Sequence, residues 1–283
     1  MTMPNFGYHL ARLKGNTLRR VYRALLPVIV RKRPNLQPRT LSGLEVFAYS
    51  GETTVPEQVA SIRSFLQQVG RPKSFTVVSD GSHSGRSIRL LERIDPIVSV
   101  RLSIPQPSSG LPEKLLRYLA THPTGRQLAL IMSLPTNGPA LYADSDVLFF
   151  ASAPDLAIRA AAHDAPAYYL ADCRFSGDAR LLRDPSEGNE PVNTGVLLLF
   201  EKLDWSLSIQ RFLELEGEPN FFTNQTMTHL TMHQNRGRPF DPTKYVLQLD
   251  DQFLYPDQYA GASLVLRHYV NPVRHKFWIS VKQ

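Results

Sequence analysis

The sequence predicts an α/β domain with a Rossmann-like, mostly parallel central sheet flanked by helices. Two observations predict it. From Glu45 onward, short apolar runs alternate with segments whose apolar residues recur at helical spacing. Strands that alternate with helices are joined by crossovers, which make parallel neighbours. In addition, residues 140–150 run from an apolar stretch into two carboxylates, Asp144 and Asp146, and leave as a second apolar stretch. Open α/β sheets bind ligands beyond the carboxyl ends of their strands, and the Asp pair falls at such an end.

The elements follow in order. Residues 1–44 read as a separate basic arm or amphipathic helix. Leu18, Val21, Leu25 and Ile29 fall near helical spacing, and Pro27 is expected to kink or end that helix. Pro34, Pro38 and Gly43 mark a linker, so the domain proper is expected over residues 45–283. Residues 45–50 form a first strand. Thr54 and Glu57 pair as a capping box with Pro56 in the first turn. Val59, Ile62, Leu66 and Val69 then give a helix its apolar face, and Gly70 and Pro72 end it. A strand over 74–79, a short helix over 86–93 and a strand over 97–102 come next. After a loop rich in Pro and Ser, Leu111, Leu115, Leu116 and Leu119 line an amphipathic helix. A helix over 126–134 leads into the Asp-pair strand. No element is predicted between 151 and 171, and 172–191 is a polar, lid-like loop. Residues 191–200 form a buried strand interrupted by Asn193-Thr194-Gly195. A Gly there marks close approach of a ligand or backbone, or else a bulge. Helices follow over 207–215 and from about 222, and strands over 245–249 and 263–268.

Composition bounds the class. Of 283 residues, 42% are hydrophobic and 20% charged, as in a soluble globular protein with a proper core. Cys173 is the single cysteine, which excludes an internal disulfide and suits a reducing compartment. No apolar run approaches a membrane span and no secretory signal is visible, so a cytoplasmic protein is expected. Residues 1–44 hold nine Lys or Arg and no acid, which leaves 23 basic against 25 acidic residues beyond them. A nucleic-acid-binding domain would carry its basic face in the body, so nucleic acid is not an expected partner. A basic amphipathic segment within residues 8–40 can instead lie on an anionic membrane surface, as a peripheral protein on its inner face. The alternatives are a poorly ordered arm and a helix packed on the domain.

The Asp pair carries the chemistry. Two Asp at i and i+2 point to the same side of an extended chain. Left alone, like charges so close drive one toward protonation. A hard divalent cation removes that conflict. The plainer reading is a polar turn between two short strands. His229 and His233, at i and i+4, lack the Glu of a metalloprotease pattern and read as packing or surface histidines. Asp250-Asp251 reads as a solvated turn, and Trp205 and Trp278 as packing residues.

Four stretches then agree in order: Tyr142-Ala-Asp-Ser-Asp-Val-Leu, Val192-Asn-Thr-Gly-Val-Leu-Leu, Asn224-Gln225 at a helix start, and His268-Tyr followed by Lys276-Phe-Trp. On these the chain resembles GT-A fold glycosyltransferases, and within them glycosyltransferase family eight, which includes glycogenin and the bacterial lipopolysaccharide galactosyltransferases. The resemblance spans roughly residues 45–278. It implies a nucleotide-sugar donor, a UDP-sugar above others, and a metal, Mn2+ or Mg2+, on Asp144, Asp146 and His268. It implies that Asp144 also contacts the donor and that Asn193, with Thr194 and Gly195, lines the sugar pocket. Gln225 is implied under the anomeric carbon, and Lys276 on the diphosphate leaving group, with His275 able to share that grip. Ser50, after the first strand, Arg126 and Asp172 are implied as further donor contacts. Asn224 stands where the family has Asp, Phe277 where it has Pro, and Asn271-Pro272 where it has Gly, with two extra residues before Lys276. The implied reaction retains anomeric configuration by front-side displacement, with an acceptor that the sequence does not name. Two other readings stay open: a degenerate GT-A domain that binds sugar or a partner at a membrane, and a sugar nucleotidyltransferase. The second would want a Gly-rich phosphate loop where Ser50-Gly51-Glu52-Thr53 stands.

Overall fold

A computed structural model of the chain describes residues 6–281, apart from 33, 35–38, 105–109, 136 and 163–165. The expected linker mark at Pro38 and most of the Pro/Ser-rich loop lie outside the described residues. The chain opens with α1 (Phe6–Ile29), β1 (Thr40–Ser50) and α2 (Val55–Gln68). Then come β2 (Arg71–Ser79), α3 (Gly85–Glu92), β3 (Val98–Arg101), α4 (Glu113–Thr121) and α5 (Pro123–Ser133). The Asp pair separates β4 (Ala140–Ala143) from β5 (Val147–Phe149). The second half holds α6 (Pro154–Ala162), β6 (Ala167–Ala171), β7 (Val192–Leu199), α7 (Ser206–Glu214) and α8 (Thr223–Gln234). It closes with β8 (Arg238–Pro239), β9 (Tyr245–Val246), β10 (Leu266–His268) and α9 (Phe277–Ser280).

The main sheet has the order β3-β2-β1-β4-β7-β6-β8. β3, β2, β1 and β4 run parallel, β7 is antiparallel to β4, and β6 is antiparallel to β7. β6 therefore points the same way as β4. Alternation along β1 separates two cores, with Val46 and Ala48 facing α2 and Phe47 facing the layer of α4, α5 and α8. Residues alternate in this way because successive strand side chains point to opposite faces. The result is a sheet covered on both faces by helices.

This topology builds one edge. The carboxyl ends of β1, β2, β4 and β6 are followed by Gly51, Asp80, Asp144 and Asp172, and the antiparallel β7 delivers its starting residues to the same edge. A small second sheet, β5-β10-β9, sets β10 antiparallel to β5, with His268 opposite Val147.

Two local expectations are corrected. Glu57 does not close a capping box. Its carboxylate takes Arg19 from α1 and, at 3.2 Å, the indole N–H of Trp278. α1 continues through Pro27, and its supposed apolar face divides: Leu18 and Ile29 pack inward, while Val21 and Leu25 are exposed. Gly15 lets the helix cross the C-terminal segment closely, since a Cβ there would overlap the His275 carbonyl. No helix among the described residues is long and apolar enough to cross a membrane.

Candidate active site and metal centre

Asp144 and Asp146 occupy the turn between β4 and β5, so the end-of-strand and polar-turn readings describe one place. The turn is held by Asp144 N–H on the Gly195 carbonyl at 2.8 Å and by Tyr269 N–H on the Asp146 carbonyl at 3.0 Å. His268 Nε2 lies 3.0 Å from Asp146 Oδ1 and 3.6 Å from Asp144 Oδ2. One ligand atom from each of the three residues falls within 4.8 Å of the others.

The imidazole orientation is determined by its neighbours. Asn193 donates its Nδ2 to Asp172 at 3.0 Å, which leaves its Oδ1 as the acceptor for Gly195 N–H and for His268 Nδ1, also at 3.0 Å. Nδ1 therefore carries the proton, and Nε2 faces the carboxylates, as a metal-binding imidazole needs. Gly195 gives way to a side chain rather than to a ligand, because a Cβ there would overlap the His268 ring and Asn193 Oδ1. The pairing of β6 with β7 also shifts register beside it, so the bulge expectation holds as well.

The electrostatics match this arrangement. Burial pushes the Asp144 carboxyl up, and Asp146 adds to the rise. Burial acts on Asp146 in the same sense, but His268 and Arg274 outweigh it and hold that carboxyl at about 2. Burial pulls the His268 imidazole down, and the Asp146 carboxylate more than offsets this, so it is raised. Asp144 Oδ1 accepts from Tyr142 Oη at 2.6 Å and from Gln127 Nε2 at 3.0 Å. Burial, with Asp144 alongside, keeps the Tyr142 phenol well above its ordinary range and so a donor. Two oriented carboxylates and one imidazole suit a divalent cation.

A cleft of about 540 Å³ opens over this centre. Ser50, Asp144, Asp172, Asn193, Thr194, Asn224 and Gln225 all line it. Gln225 Nε2 donates to Asp172 Oδ2 at 3.2 Å and to the Ser176 carbonyl at 2.9 Å. Asp172, Asn193 and Gln225 thus form one hydrogen-bonded wall. Tyr49 Oη and Ser50 Oγ face the cleft buried and without a partner among the described residues. Buried polar atoms are rarely left so, and these are open to a ligand.

Three predicted residues lie elsewhere. Lys276 is fully buried, with Nζ 3.0 Å from Asp251 and 2.7 Å from the Pro256 carbonyl. Asp251 is equally buried, contrary to the solvated-turn reading, and pairs with Arg267 at 2.8 Å. Lys276 thus points into the core, away from the cleft. Arg274 takes the exposed position and reaches Asp146 Oδ2 at 2.5 Å. His275 turns to Tyr8 and the Pro272 carbonyl. It walls a second cavity of about 540 Å³ that adjoins Asp146 and Arg274 under α1. Arg126 is tied to the carbonyls of Ala120 and Asp80, at 2.9 and 3.0 Å, outside the main cleft. Its neighbour Gln127 enters instead, and Asn224 Nδ2 donates to Gln127 Oε1 at 3.0 Å. Sequence reasoning missed Gln127 and Arg274, each within two residues of its prediction. His229 and His233 pack, as anticipated, through ring nitrogens on the Glu187 and Glu190 carbonyls.

No family model matches the chain, and no curated protein matches it. Solved structures do. The fold is similar to that of the galactosyltransferase LgtC in complex with donor and acceptor sugar analogues, at 13% identity. That match covers 84% of this chain and 95% of the other, with a TM-score of 0.57. It is also similar to the apo glycosyltransferase GlyE of Streptococcus pneumoniae TIGR4, at 13% identity over 84% of this chain and 60% of the other, TM-score 0.51. The bifunctional glycosyltransferase WbbM in its apo form matches at 12% identity over 87% and 50%, TM-score 0.50. The chain has the GT-A fold, an α/β sheet with an Asp-x-Asp group at the carboxyl edge of its parallel strands.

Proposed function

We propose that the protein is a glycosyltransferase that moves a sugar from a nucleoside-diphosphate sugar, foremost a UDP-sugar, to an acceptor hydroxyl. The observation that carries this is the convergence of Asp144, Asp146 and His268 at the cleft edge of a GT-A sheet. Those three residues would hold manganese or magnesium, which neutralises diphosphate charge when bound. Arg274, paired with Asp146, would set a positive charge beside the same phosphates, the role that the resemblance implies for Lys276. Tyr49 and Ser50 offer their unpaired hydroxyls to the nucleoside. The wall of Asp172, Asn193 and Gln225 suits sugar hydroxyls. Phe221 and Phe222, exposed at the cleft, offer an apolar face to an acceptor.

Asp172 accepts from two side-chain amides and is committed to that wall, so no unengaged carboxylate stands out as a nucleophile among the described residues. A front-side displacement follows: the acceptor oxygen bonds the anomeric carbon as its bond to the diphosphate oxygen breaks. The departing phosphate oxygen takes the acceptor proton. Retention in fresh product, read by proton NMR, is the expected result, and inversion would contradict it.

The test of the activity is release of nucleoside diphosphate from a panel of nucleotide-sugars with Mn2+. Release by the native protein that is lost in Asp146→Ala is expected. Tight nucleotide binding with no release, across acceptors, would instead favour a non-catalytic binding domain, the reading that the displaced Lys276 keeps alive.

A further inference from the structure

α1 has two faces, and the fold uses one. Ala11, Gly15 and Leu26 are buried, and Tyr22 packs on Trp278 at 5.0 Å between ring centroids. The opposite face carries Phe6, Leu10, Leu13, Val21, Leu25 and Val28, each between 43% and 76% exposed. Their steps of four, three, eight, four and three residues keep them on one side of a 3.6-residue helix. Beside the start of the helix, Phe253 and Leu254 are also exposed, with the Phe253 ring edge-on to Tyr8 at 5.8 Å. Apolar surface of this extent, rimmed by polar groups, marks an interaction face.

The rim identifies the partner. Helical geometry puts Lys14 toward one edge of the stripe and Arg20 along the other, and Arg31 and Lys32 follow its end, all exposed. Residues 1–44 contain no acid. A second copy laid on the stripe would set basic rim against basic rim. An anionic lipid surface instead offers apolar chains to the stripe and negative headgroups to the rim.

We propose that α1 is an in-plane docking helix for an anionic bilayer. Its inner face stays on the domain while the outer stripe enters the headgroup boundary. The helix also walls the cavity beside Asp146 and Arg274, through Tyr8, Arg12, Asn16 and Arg19. Docking therefore holds the cleft next to the lipid headgroups.

Flotation of the full chain tests this, with vesicles of phosphatidylcholine alone or mixed with phosphatidylglycerol. The expected result is flotation with the mixed vesicles only, reversed by salt. Leu13→Glu combined with Val28→Glu abolishes it, and Arg20→Ala weakens partition roughly fivefold. These positions are exposed, so an unchanged thermal melt shows that the variants are folded. Three outcomes overturn the proposal: no flotation of folded protein with mixed vesicles, equal flotation with phosphatidylcholine alone, or flotation of the double variant like the native chain. A dimer in solution that the double variant dissolves, without vesicle binding, would assign the stripe to a second copy and also overturn it.

Discussion

At His268 three constraints meet: Gly195 makes room for the ring, Asn193 orients it, and the Asp pair faces its Nε2. The pH dependence follows from this. The raised His268 value means that its ion pair stabilises the fold fully below the ordinary imidazole value of 6.5. That contribution is lost as pH rises through the folded value. The lowered Asp146 value means a contribution present above the ordinary 3.8 and lost as pH falls toward about 2. Metal binding needs Nε2 without its proton, so Mn2+ affinity should climb with pH above 6.5 and release a proton. Calorimetric titration in buffers of different ionisation enthalpy checks this, and a pH-independent affinity would count against His268 as a ligand. Gly195→Ala pushes the ring out of line. Loss of at least tenfold in Mn2+ affinity is expected, with about 1–3 kcal/mol of overpacking strain. Unchanged Mn2+ binding in that variant would show that the ring position is not what makes the site.

Elements differ in how openly the sequence announces them. β1, β2, β7 and α2 stand out because apolar runs and turn residues bound them sharply. α6 and β6 do not. α6 has only nine residues and four of them are Ala, so its apolar face is faint, and β6 has five residues, the first four buried, with no alternation to mark it. The site was largely legible because its ligands sit at strand ends and helix starts. Lys276 and Arg126 were misplaced because a helical turn rotates neighbouring side chains far apart, so a shift of one or two residues changes which one reaches the cleft. The C-terminal segment makes this testable. Lys276 belongs to a fully buried group of two cations and two carboxylates with Arg267, Asp251 and Asp257. Lys276→Ala should cost about 3–5 kcal/mol of stability, as removal of one buried partner does. Arg274→Ala, which removes a half-exposed partner of Asp146, should cost no more than about 1 kcal/mol and lower turnover. A thermal and chemical denaturation series beside the release assay separates the two, and the reverse pattern would restore Lys276 to the diphosphate.

Over the whole molecule, the parallel half of the sheet, β7 and the small second sheet bring distant parts of the chain to one edge. Asp144, Asp172, Asn193, Gln225 and His268 span more than a hundred residues of sequence and share one cleft. No single motif predicts that, while the order of four motifs along the chain does. Under the proposed function, this edge binds a nucleoside diphosphate through a metal held by Asp144, Asp146 and His268. Thermal shift of the full chain with UDP and Mn2+, separately and together, tests it most directly. A ligand at a hundred times its dissociation constant stabilises by about 2.7 kcal/mol. A rise with the pair that exceeds the sum of the separate rises and vanishes in Asp146→Ala is expected. Folded protein that shows no shift with UDP or any other nucleoside diphosphate, with or without Mn2+, would contradict it.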